Sequence, residues 1–422
     1  MSGADTASQQ RHDDAEALIE SLLAPEVIAN PYPVFARLRE LGRMHATGGV
    51  LFATGYEDCA TVTRETALFR AQSPQWCDQV TPGWRERPSK IATFETMLFQ
   101  DPPDHTRLRR LVSTAFTPRQ AERMRAEVAR LVDRALDALA DAGSGGSPVD
   151  LHTTLAATLP IAVIGSLVGV PPSDWAHLQT AMSALLQVVE FAVTKQQIAD
   201  ADRAALELRG YFATLVASRR AEPRDDLAST LVSVRDAAAS SSAGPADGLT
   251  EDELLQTLTF LFMAGVDTMT NLLANGAAAF IAHPDQAALL RADPGLTSRA
   301  VDEVLRFDPP VQIVGRVAGE QTAVGGTTVP AGGLVIALLG SANRDPARFP
   351  RPDAFDITRT GTTVLSFGGG IHYCLGAPLA RVEAGIFLAA LVTRFPGLQL
   401  AGTPTRQGVV FRGFSKLPVT VG

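Results

Sequence analysis

Residues 366–377 read SFGGGIHYCLGA, and this stretch decides how the whole chain is interpreted. It is a glycine-rich loop that brings one cysteine, Cys374, to the start of an apolar helix predicted over 377–394. A thiolate is a soft metal ligand, and the unpaired backbone N–H groups of a helix N-terminus stabilise it. Glycines let a backbone lie close against a flat ligand. The alternative is a small buried apolar side chain, which is the commoner role of a free cysteine.

The segments before this loop have a mainly helical pattern. Helix starts are predicted at 101–104, 117–120 and 250–253, where capping side chains precede apolar periodicity. The last of these opens a proline-free helix that runs to about Ala282. Short β-rich segments separated by Gly and Pro turns follow Pro309, and a hairpin closes the chain; these segments are 311–317, 321–329, 334–339 and 408–421. The sequence therefore predicts a mainly α fold with a smaller β region.

The spacing F-x-x-G-x-H-x-C-x-G over 367–376 resembles the haem-binding loop of the cytochromes P450 at every defining position. With three further segments in matching order, the resemblance covers about residues 28–422. It implies a triangular helical prism around one haem b, with the iron held by the Cys374 thiolate. Such an axial ligand pushes electron density towards O–O cleavage.

The segment Ala264-Gly265-Val266-Asp267-Thr268 lies in the middle of the long predicted helix. A glycine there costs about 1 kcal/mol relative to alanine, which indicates a packing or functional reason. The resemblance implies that Gly265 loosens the helix over the haem, that Thr268 assists oxygen activation and that Asp267 supplies protons as a general acid. Without the resemblance, the segment would be a core helix with two incidental polar residues.

His105 and Arg109 lie one helical turn apart and share a face, which alone would indicate a solvated basic surface. The resemblance implies instead that they bind the haem propionates through charge-assisted hydrogen bonds, together with Arg316 and His372. The full set of residues that the resemblance places at the haem is Leu98, His105, Arg109, Phe116, Ala264, Gly265, Arg316, Phe367, Gly368, His372 and Gly376.

Glu303 and Arg306, at i and i+3 of one predicted helix, resemble the Glu-x-x-Arg pair of the same family, whose role is structural. In many relatives a third basic residue near 352–355 completes this network. Here the expected position holds Ala354, so the sequence predicts a network without its third member.

Composition limits the classes of function. The 422 residues carry a formal charge of −8, which argues against a nucleic-acid binder, and three cysteines cannot form a disulfide framework. The N-terminus lacks the features of a signal peptide, and no continuous apolar run reaches the ~18 residues of a membrane span. We expect a cytoplasmic monomer with a mobile tail over 1–20, folding from about Ile28, and a single domain over 21–422. Gly/Ser-rich connections are predicted at 143–148 and 237–248.

We therefore expect a haem-thiolate monooxygenase that uses O2 to hydroxylate or epoxidise a small, largely apolar organic substrate, with secondary metabolism as its setting. No dinucleotide fingerprint occurs, so electrons are expected from a ferredoxin-type partner that docks near Arg107, Arg110 and Arg381. Oxidative coupling or cyclisation without oxygen insertion, and a non-catalytic haem sensor or carrier, are the alternatives. The predicted pocket walls carry Trp84, Phe94, Val189, Phe191, Gln312, Ile313, Val314, Phe411 and Phe414.

Overall fold

The computed structural model describes residues 3–239 and 248–421. Most of the connection predicted over 237–248 lies outside these residues. The helices in the described part are α1 (Gly3–Glu20), α2 (Pro25–Ala29), α3 (Tyr32–Leu41), α4 (Tyr56–Arg64), α5 (Pro74–Val80), α6 (Pro88–Phe94), α7 (Asp104–Ser113), α8 (Pro118–Ala142), α9 (Thr158–Val168), α10 (Trp175–Leu186), α11 (Lys195–Ala221), α12 (Leu227–Ala239), α13 (Glu251–Ala282), α14 (Pro284–Ala292), α15 (Thr297–Phe307), α16 (Leu339–Ala342) and α17 (Ala377–Arg394). The strands are β1 (Met44–Thr47), β2 (Val50–Ala53), β3 (Phe69–Arg70), β4 (Val149–Asp150), β5 (Ile313–Ala318), β6 (Thr322–Val324), β7 (Thr327–Val329), β8 (Leu334–Leu338), β9 (Gln399–Leu400), β10 (Thr405–Gln407), β11 (Gly413–Lys416) and β12 (Pro418–Thr420).

Helix α13 is the central element of the fold. It begins with a capping box in which Thr250 and Glu253 each accept a hydrogen bond from the other's backbone N–H. Its first half packs in an apolar core with α9, α10 and α11, and its second half packs in another with α8, α15 and α17. Asp267 and Thr268 lie where the two halves meet. The predicted bounds of this helix are confirmed.

Helix α13 is also long and apolar enough to cross a membrane by length and composition, and 72% of its most apolar window is buried in the fold. Burial at this level is typical of the core helix of a globular protein.

The main sheet has the strand order β1-β2-β8-β5-β3, in which the β2–β8 pair is parallel and the other pairs are antiparallel. Strands β5 and β8 confirm the segments predicted at 311–317 and 334–339. The segment 321–329 is a hairpin of β6 and β7 that turns at Gly325 and Gly326, both with positive φ as a two-residue turn requires.

The prediction of a hairpin over 408–421 is wrong. Strand β11 pairs with β10, whereas β12 joins β4 and β9 in a separate three-stranded sheet. The chain changes sheets at Leu417, whose N–H donates to the Asp150 carboxylate at 2.8 Å and whose carbonyl accepts from the Leu151 N–H at 2.9 Å. Long-range hydrogen bonds therefore override the local pattern.

The prediction of a mobile tail over 1–20, with folding from about Ile28, is corrected. Helix α1 covers most of that range, and Ala15 and Ile19 are buried in a cluster that includes Leu38 and Phe52. The signal was weak because the inward stripe of this otherwise polar helix is narrow, with Ala15 and Ile19 buried and Leu18 packed at its edge.

Candidate active site

The cysteine loop (residues 366–376) is held against the start of α17. The Cys374 N–H donates to the Phe367 carbonyl at 2.9 Å, and the Cys374 carbonyl accepts from the Ala377 N–H at 3.3 Å. Desolvation raises the pKa of the Cys374 thiol, while the N–H groups at the start of α17 and the Arg109 charge act in the opposite direction. The Cys374 side chain is nevertheless accessible to solvent. The helix N-terminus and the Arg109 charge thus offset only part of the desolvation, and the pKa of Cys374 stays above its usual value in the protein alone.

Glycines shape this loop for two different reasons. Gly368 and Gly370 have φ of +68° and +60°. A Cβ at Gly369 would overlap the Arg64 side chain of α4, and one at Gly370 would lie 2.8 Å from the Arg64 carbonyl oxygen. A Cβ at Gly376 would lie 3.9 Å from the cysteine sulfur. The last two glycines of the run are therefore required by packing against α4, which the sequence did not indicate.

Two histidines and two arginines converge beside the cysteine loop. The ring centroids of His105 and His372 lie 4.3 Å apart, and Arg109 donates to the Tyr373 carbonyl at 2.5 Å. Among the residues that the structure describes, both ring nitrogens of His105, Nε2 of His372 and Nε of Arg316 are buried without a hydrogen-bond partner. Because buried polar atoms are nearly always paired in folded proteins, this cluster is a set of donors that requires an acceptor.

The electrostatics of this cluster favour an anion. Burial and the nearby arginines lower the pKa of His105 to about 4, and burial followed by Arg316 lowers that of His372 well below its usual range. Burial also lowers the pKa of Arg316 to about 10, against the opposing charge of Asp101. Carboxylates placed among these groups would accept charge-assisted hydrogen bonds and offset the repulsion. The donor set therefore fits the propionates of a haem, and His105, at 2% exposure, is not part of a solvated face.

The remaining side chains predicted at the haem are apolar. Phe116 is buried, Leu98 is 41% exposed, and Phe367 is half-buried beneath the Arg381 guanidinium, which lies 5.1 Å from the ring centroid. Their contacts with a haem stay predictions.

The segment at 264–268 forms an uninterrupted part of α13. The Thr268 hydroxyl donates to the Ala264 carbonyl at 2.7 Å. A Cβ at Gly265 would lie 3.0 Å from Cγ1 of Ile164, so the glycine is required where α13 packs against α9. The structure thus gives Gly265 a role in close helix packing; that it loosens the helix over a haem and contacts the haem stay predictions.

Asp267 is the unpaired charge of this segment. Its Oδ1 accepts a 3.3 Å hydrogen bond from the Ser183 hydroxyl of α10, and its Oδ2 is buried with no partner among the described residues. Burial raises the pKa of Asp267 to about 6, with Ser183 as the opposing influence. A carboxyl with this pKa exchanges a proton readily near neutral pH. Ser183 was missed from the sequence because nothing local links it to α13.

A cavity of about 280 Å³ opens beside Asp267, between α10, α13 and the turn at 407–411. Its wall includes Ser183, Glu190 and Asn271 as well as the predicted pocket residue Phe411. The wall is thus partly polar.

Three other predicted pocket residues, Trp84, Phe94 and Gln312, do not line this cavity, and their place in a substrate pocket stays a prediction. Trp84 is 2% exposed, with its indole N–H bonded to Asp78 at 2.8 Å and its ring 5.6 Å from that of Phe94. Gln312 is buried and donates to the Pro309 carbonyl at 2.7 Å. These side chains are polar anchors or packing partners of the interior, which apolar composition alone could not reveal.

Further pocket predictions also fall on packing positions. Ile313 and Phe414 are buried within apolar clusters, Val189 and Val314 pack half-buried against cluster edges, and Phe191 is 52% exposed.

The Glu303–Arg306 pair is buried, and its structural role is clear. Arg306 donates from Nε and Nη2 to the two carboxylate oxygens of Glu303, both at 2.8 Å, and to three backbone carbonyls, including that of Ala354. A third cation is present: Arg359 Nε lies 3.2 Å from Glu303 Oε1. The prediction that the network lacks this member is wrong, because Arg359 reaches it from five residues further along the chain.

Two of the three arginines predicted to form a docking surface are engaged in ion pairs. Arg107 is turned inward, where it bonds to Glu253 at 2.5 Å and to Asp104, and Arg381 pairs with Asp302. A recess of about 380 Å³ on the outer side of the cysteine loop is lined by Arg64 and Arg381. Arg64 is the cation of this surface that the sequence did not single out.

Comparison with known proteins gives consistent matches along the chain. A sequence model of the family described as "Cytochrome P450" matches residues 83–406. The chain is 38% identical to the cytochrome P450 monooxygenase PikC of Streptomyces venezuelae, over 94% of this chain and 92% of that protein. It is 36% identical to the vitamin D(3) 25-hydroxylase of Pseudonocardia autotrophica, over 93% and 94%. The crystal structure of Mycobacterium smegmatis CYP164A2 with econazole bound matches with a TM-score of 0.85 at 38% identity, over 96% and 99%.

Proposed function

The chain belongs to the cytochrome P450 family, and we propose that it is a haem-thiolate monooxygenase that hydroxylates or epoxidises a small, largely apolar organic substrate. The predicted fold class is confirmed by the TM-score of 0.85 and by family membership. Because α13 runs through both apolar cores and α1 packs onto the same fold, we propose that the single domain predicted over 21–422 also includes α1. A haem bound through a cysteine thiolate supplies the activation of dioxygen.

The observation that carries this proposal is the unpaired donor cluster beside Cys374. His105, Arg109, Arg316 and His372 would hold the haem carboxylates, and the cysteine loop would hold the iron. Among the described residues no group of three or more His, Cys, Asp or Glu could hold a metal ion by itself. A single sulfur combined with an anion-binding cluster matches a metal carried by an anionic macrocycle.

Two residues of α13, Asp267 and Thr268, would bind and transfer protons. Thr268 donates its own hydroxyl hydrogen to Ala264, which leaves the oxygen lone pairs of Thr268 able to accept another hydrogen bond. Asp267, with a pKa of about 6, can take up a proton from the adjoining cavity and release it, and Ser183 holds one of its oxygens in place. We propose Thr268 and Asp267 as the catalytic pair.

The names of relatives support a proposal for the substrate class, and a surface recess supports one for the electron donor. Relatives include enzymes named nocardicin C N-oxygenase and polyketide biosynthesis cytochrome P450 PksS, which supports a role in secondary metabolism. Electrons would come from a ferredoxin-type protein bound over the recess near Arg64 and Arg381. A cytoplasmic monomer is part of the same proposal.

The spectrum of the reduced carbon monoxide complex tests the proposal. The haem-loaded protein should show the red-shifted band of a thiolate ligand, and Cys374→Ser should lose it. Cys59→Ser is the control, since Cys59 is buried and its sulfur lies 3.2 Å from the Ala53 carbonyl. Folded, haem-loaded parent protein without the band would reject the assignment.

Two experiments separate the alternatives. Product analysis with labelled dioxygen distinguishes oxygen insertion from oxidative coupling or cyclisation, because only insertion places the label in the product. Substrate-dependent consumption of oxygen and reductant distinguishes an enzyme from a haem sensor or carrier. The Asp267–Thr268 pair favours the enzyme, since a carrier has no need of a proton-exchanging carboxyl.

A further inference from the structure

The turn at 408–411 carries the aromatic wall of the cavity. Phe411 lines the cavity, and the turn begins at Gly408 with φ of +80°. A Cβ at Gly408 would overlap the Phe411 carbonyl oxygen, so the turn closes tightly on itself and needs glycine there. The position of the Phe411 ring therefore depends on how this turn is held.

One side of the turn is attached to the segment before β5. The Gln312 N–H donates to the Val410 carbonyl at 2.9 Å, the Arg412 N–H donates to the Pro310 carbonyl at 2.7 Å, and Phe411 forms a β-bridge with Val311. These bonds leave the N–H groups at 409–411 for another partner.

That partner is the carboxylate of Glu190, more than two hundred residues away along the chain. Its Oε2 accepts from the Val409 and Val410 N–H groups at 3.0 and 3.1 Å, and its Oε1 accepts from the Phe411 N–H at 3.0 Å. A carboxylate can accept all three because it has two oxygens with about four lone-pair sites. Bonds to an ionised acceptor are about twice as strong as neutral ones.

Glu190 stands in the short connection between α10 and α11, residues 187–194. This connection has a second polar attachment on its other side, where Lys90 of α6 donates to the Val188 carbonyl at 3.1 Å. The connection passes over the cavity wall, since Gln187, Glu190 and Ala192 all line the cavity. The same side chain thus joins the covering connection to the turn beneath it.

We propose that Glu190 is a positioning residue that fixes Phe411 as a wall of the substrate cavity and ties the α10–α11 connection over it. The proposal rests on the proposed function, in that the cavity receives the substrate. Release of the carboxylate from the three N–H groups would leave the turn held only by its bonds to 310–312 and the connection held on the Lys90 side, so both would loosen together. Substrate selectivity then depends on Glu190 through its hold on the Phe411 turn, in addition to its own place in the cavity wall.

Hydrogen–deuterium exchange of the holoenzyme tests the positioning directly. In Glu190→Ala, the amides at 409–411 should exchange about tenfold faster or more, because each loses a charge-assisted hydrogen bond. Glu190→Gln should give an intermediate effect, since an amide retains a single acceptor oxygen. Glu207→Gln and Glu207→Ala make the same chemical changes on α11, where Glu207 contacts His177 at the surface, and should match the parent.

The binding of two azoles tests the effect on the cavity. Imidazole is small, whereas 4-phenylimidazole carries a ring that needs an ordered wall. Glu190→Ala should weaken 4-phenylimidazole about threefold or more, which is about 0.7 kcal/mol, and leave imidazole unchanged. Unaltered exchange at 409–411 in Glu190→Ala, or an unaltered ratio of the two affinities, would overturn the proposal. Failure of the proposed function would show separately, as a parent protein that lacks the thiolate band.

Discussion

Replacing Asp267 by asparagine should make the protein more stable at neutral pH. The Asp267 Oδ2 is buried without a partner among the described residues, and Oδ1 receives a 3.3 Å hydrogen bond from Ser183. Burial therefore raises the pKa of Asp267 from 3.8 to about 6. Asparagine keeps the shape and the acceptor for Ser183 but removes the charge whose desolvation is unfavourable.

The size of the effect follows from the pKa of Asp267. An increase from 3.8 to about 6 corresponds to about 3 kcal/mol, at about 1.36 kcal/mol for each tenfold change in proton affinity. Between about pH 4 and pH 6 the folded protein binds more protons at this site than the unfolded chain, so its free energy of unfolding falls as the pH rises. Above about pH 6 the ionised carboxylate destabilises the fold by the full amount, and below about pH 4 the protonated carboxyl causes no destabilisation.

Urea unfolding of the holoenzyme at a series of pH values measures this difference. The free energy of unfolding of Asp267→Asn should equal that of the parent at about pH 4 and exceed it by about 3 kcal/mol near pH 7. Asp252→Asn is the matched control on the same helix, because the Asp252 side chain is 77% exposed and pairs with Arg209 at the surface; it should show no such rise. A difference for Asp267→Asn that is independent of pH, or a loss of stability at neutral pH, would refute the reasoning.

Three further outcomes are expected. Arg359→Ala should lower the free energy of unfolding by about 2 kcal/mol, because it removes a charge-assisted bond from a buried network; Arg37→Ala, in an exposed pair, should cost almost nothing in the same urea titration. Gly265→Ala should lose about 1–3 kcal/mol through crowding of Ile164 and gain about 1 kcal/mol in helix propensity, a net loss of about 1 kcal/mol, and Ile164→Ala should remove the crowding in a double-mutant cycle. Thr268→Ala should retain haem but divert reducing equivalents to hydrogen peroxide, measured with a surrogate ferredoxin and reductase; unchanged coupling would remove its proposed role.

Local signals were sufficient for much of the fold. The capping box at Thr250 and Glu253 predicts α13, and the sequence after Cys374 predicts α17, because caps and apolar periodicity act within a few residues. The predictions of a mobile tail and of a terminal hairpin were wrong because these segments depend on contacts with distant parts of the chain. Helix α1 is held by a narrow apolar stripe in a cluster with residues of α3 and β2, and the strand pairing near Leu417 depends on a segment far away in the chain.

The candidate site divides in the same way. The spacing over 367–376 identifies Cys374, and the resemblance it carries leads to His105, Arg109, Arg316 and His372. The structure brings unpaired nitrogens of His105, His372 and Arg316 together beside Arg109, which is bonded to the Tyr373 carbonyl. The pocket walls suggested by apolar composition stay a prediction. Trp84 and Gln312 prove to be interior anchors, and their partners are visible only once the chain is folded.

The sequence by itself determined the cysteine proposed to bind iron, the long central helix and the family of the protein, because each depends on residues adjacent in the chain or on a fixed short spacing. Tertiary structure alone decided that Arg359 completes the Glu303 network, that Ser183 holds Asp267, and that the Glu190 carboxylate binds the turn at 408–411. These contacts join side chains to groups far away in sequence, whose approach is set by the packing of whole helices and strands.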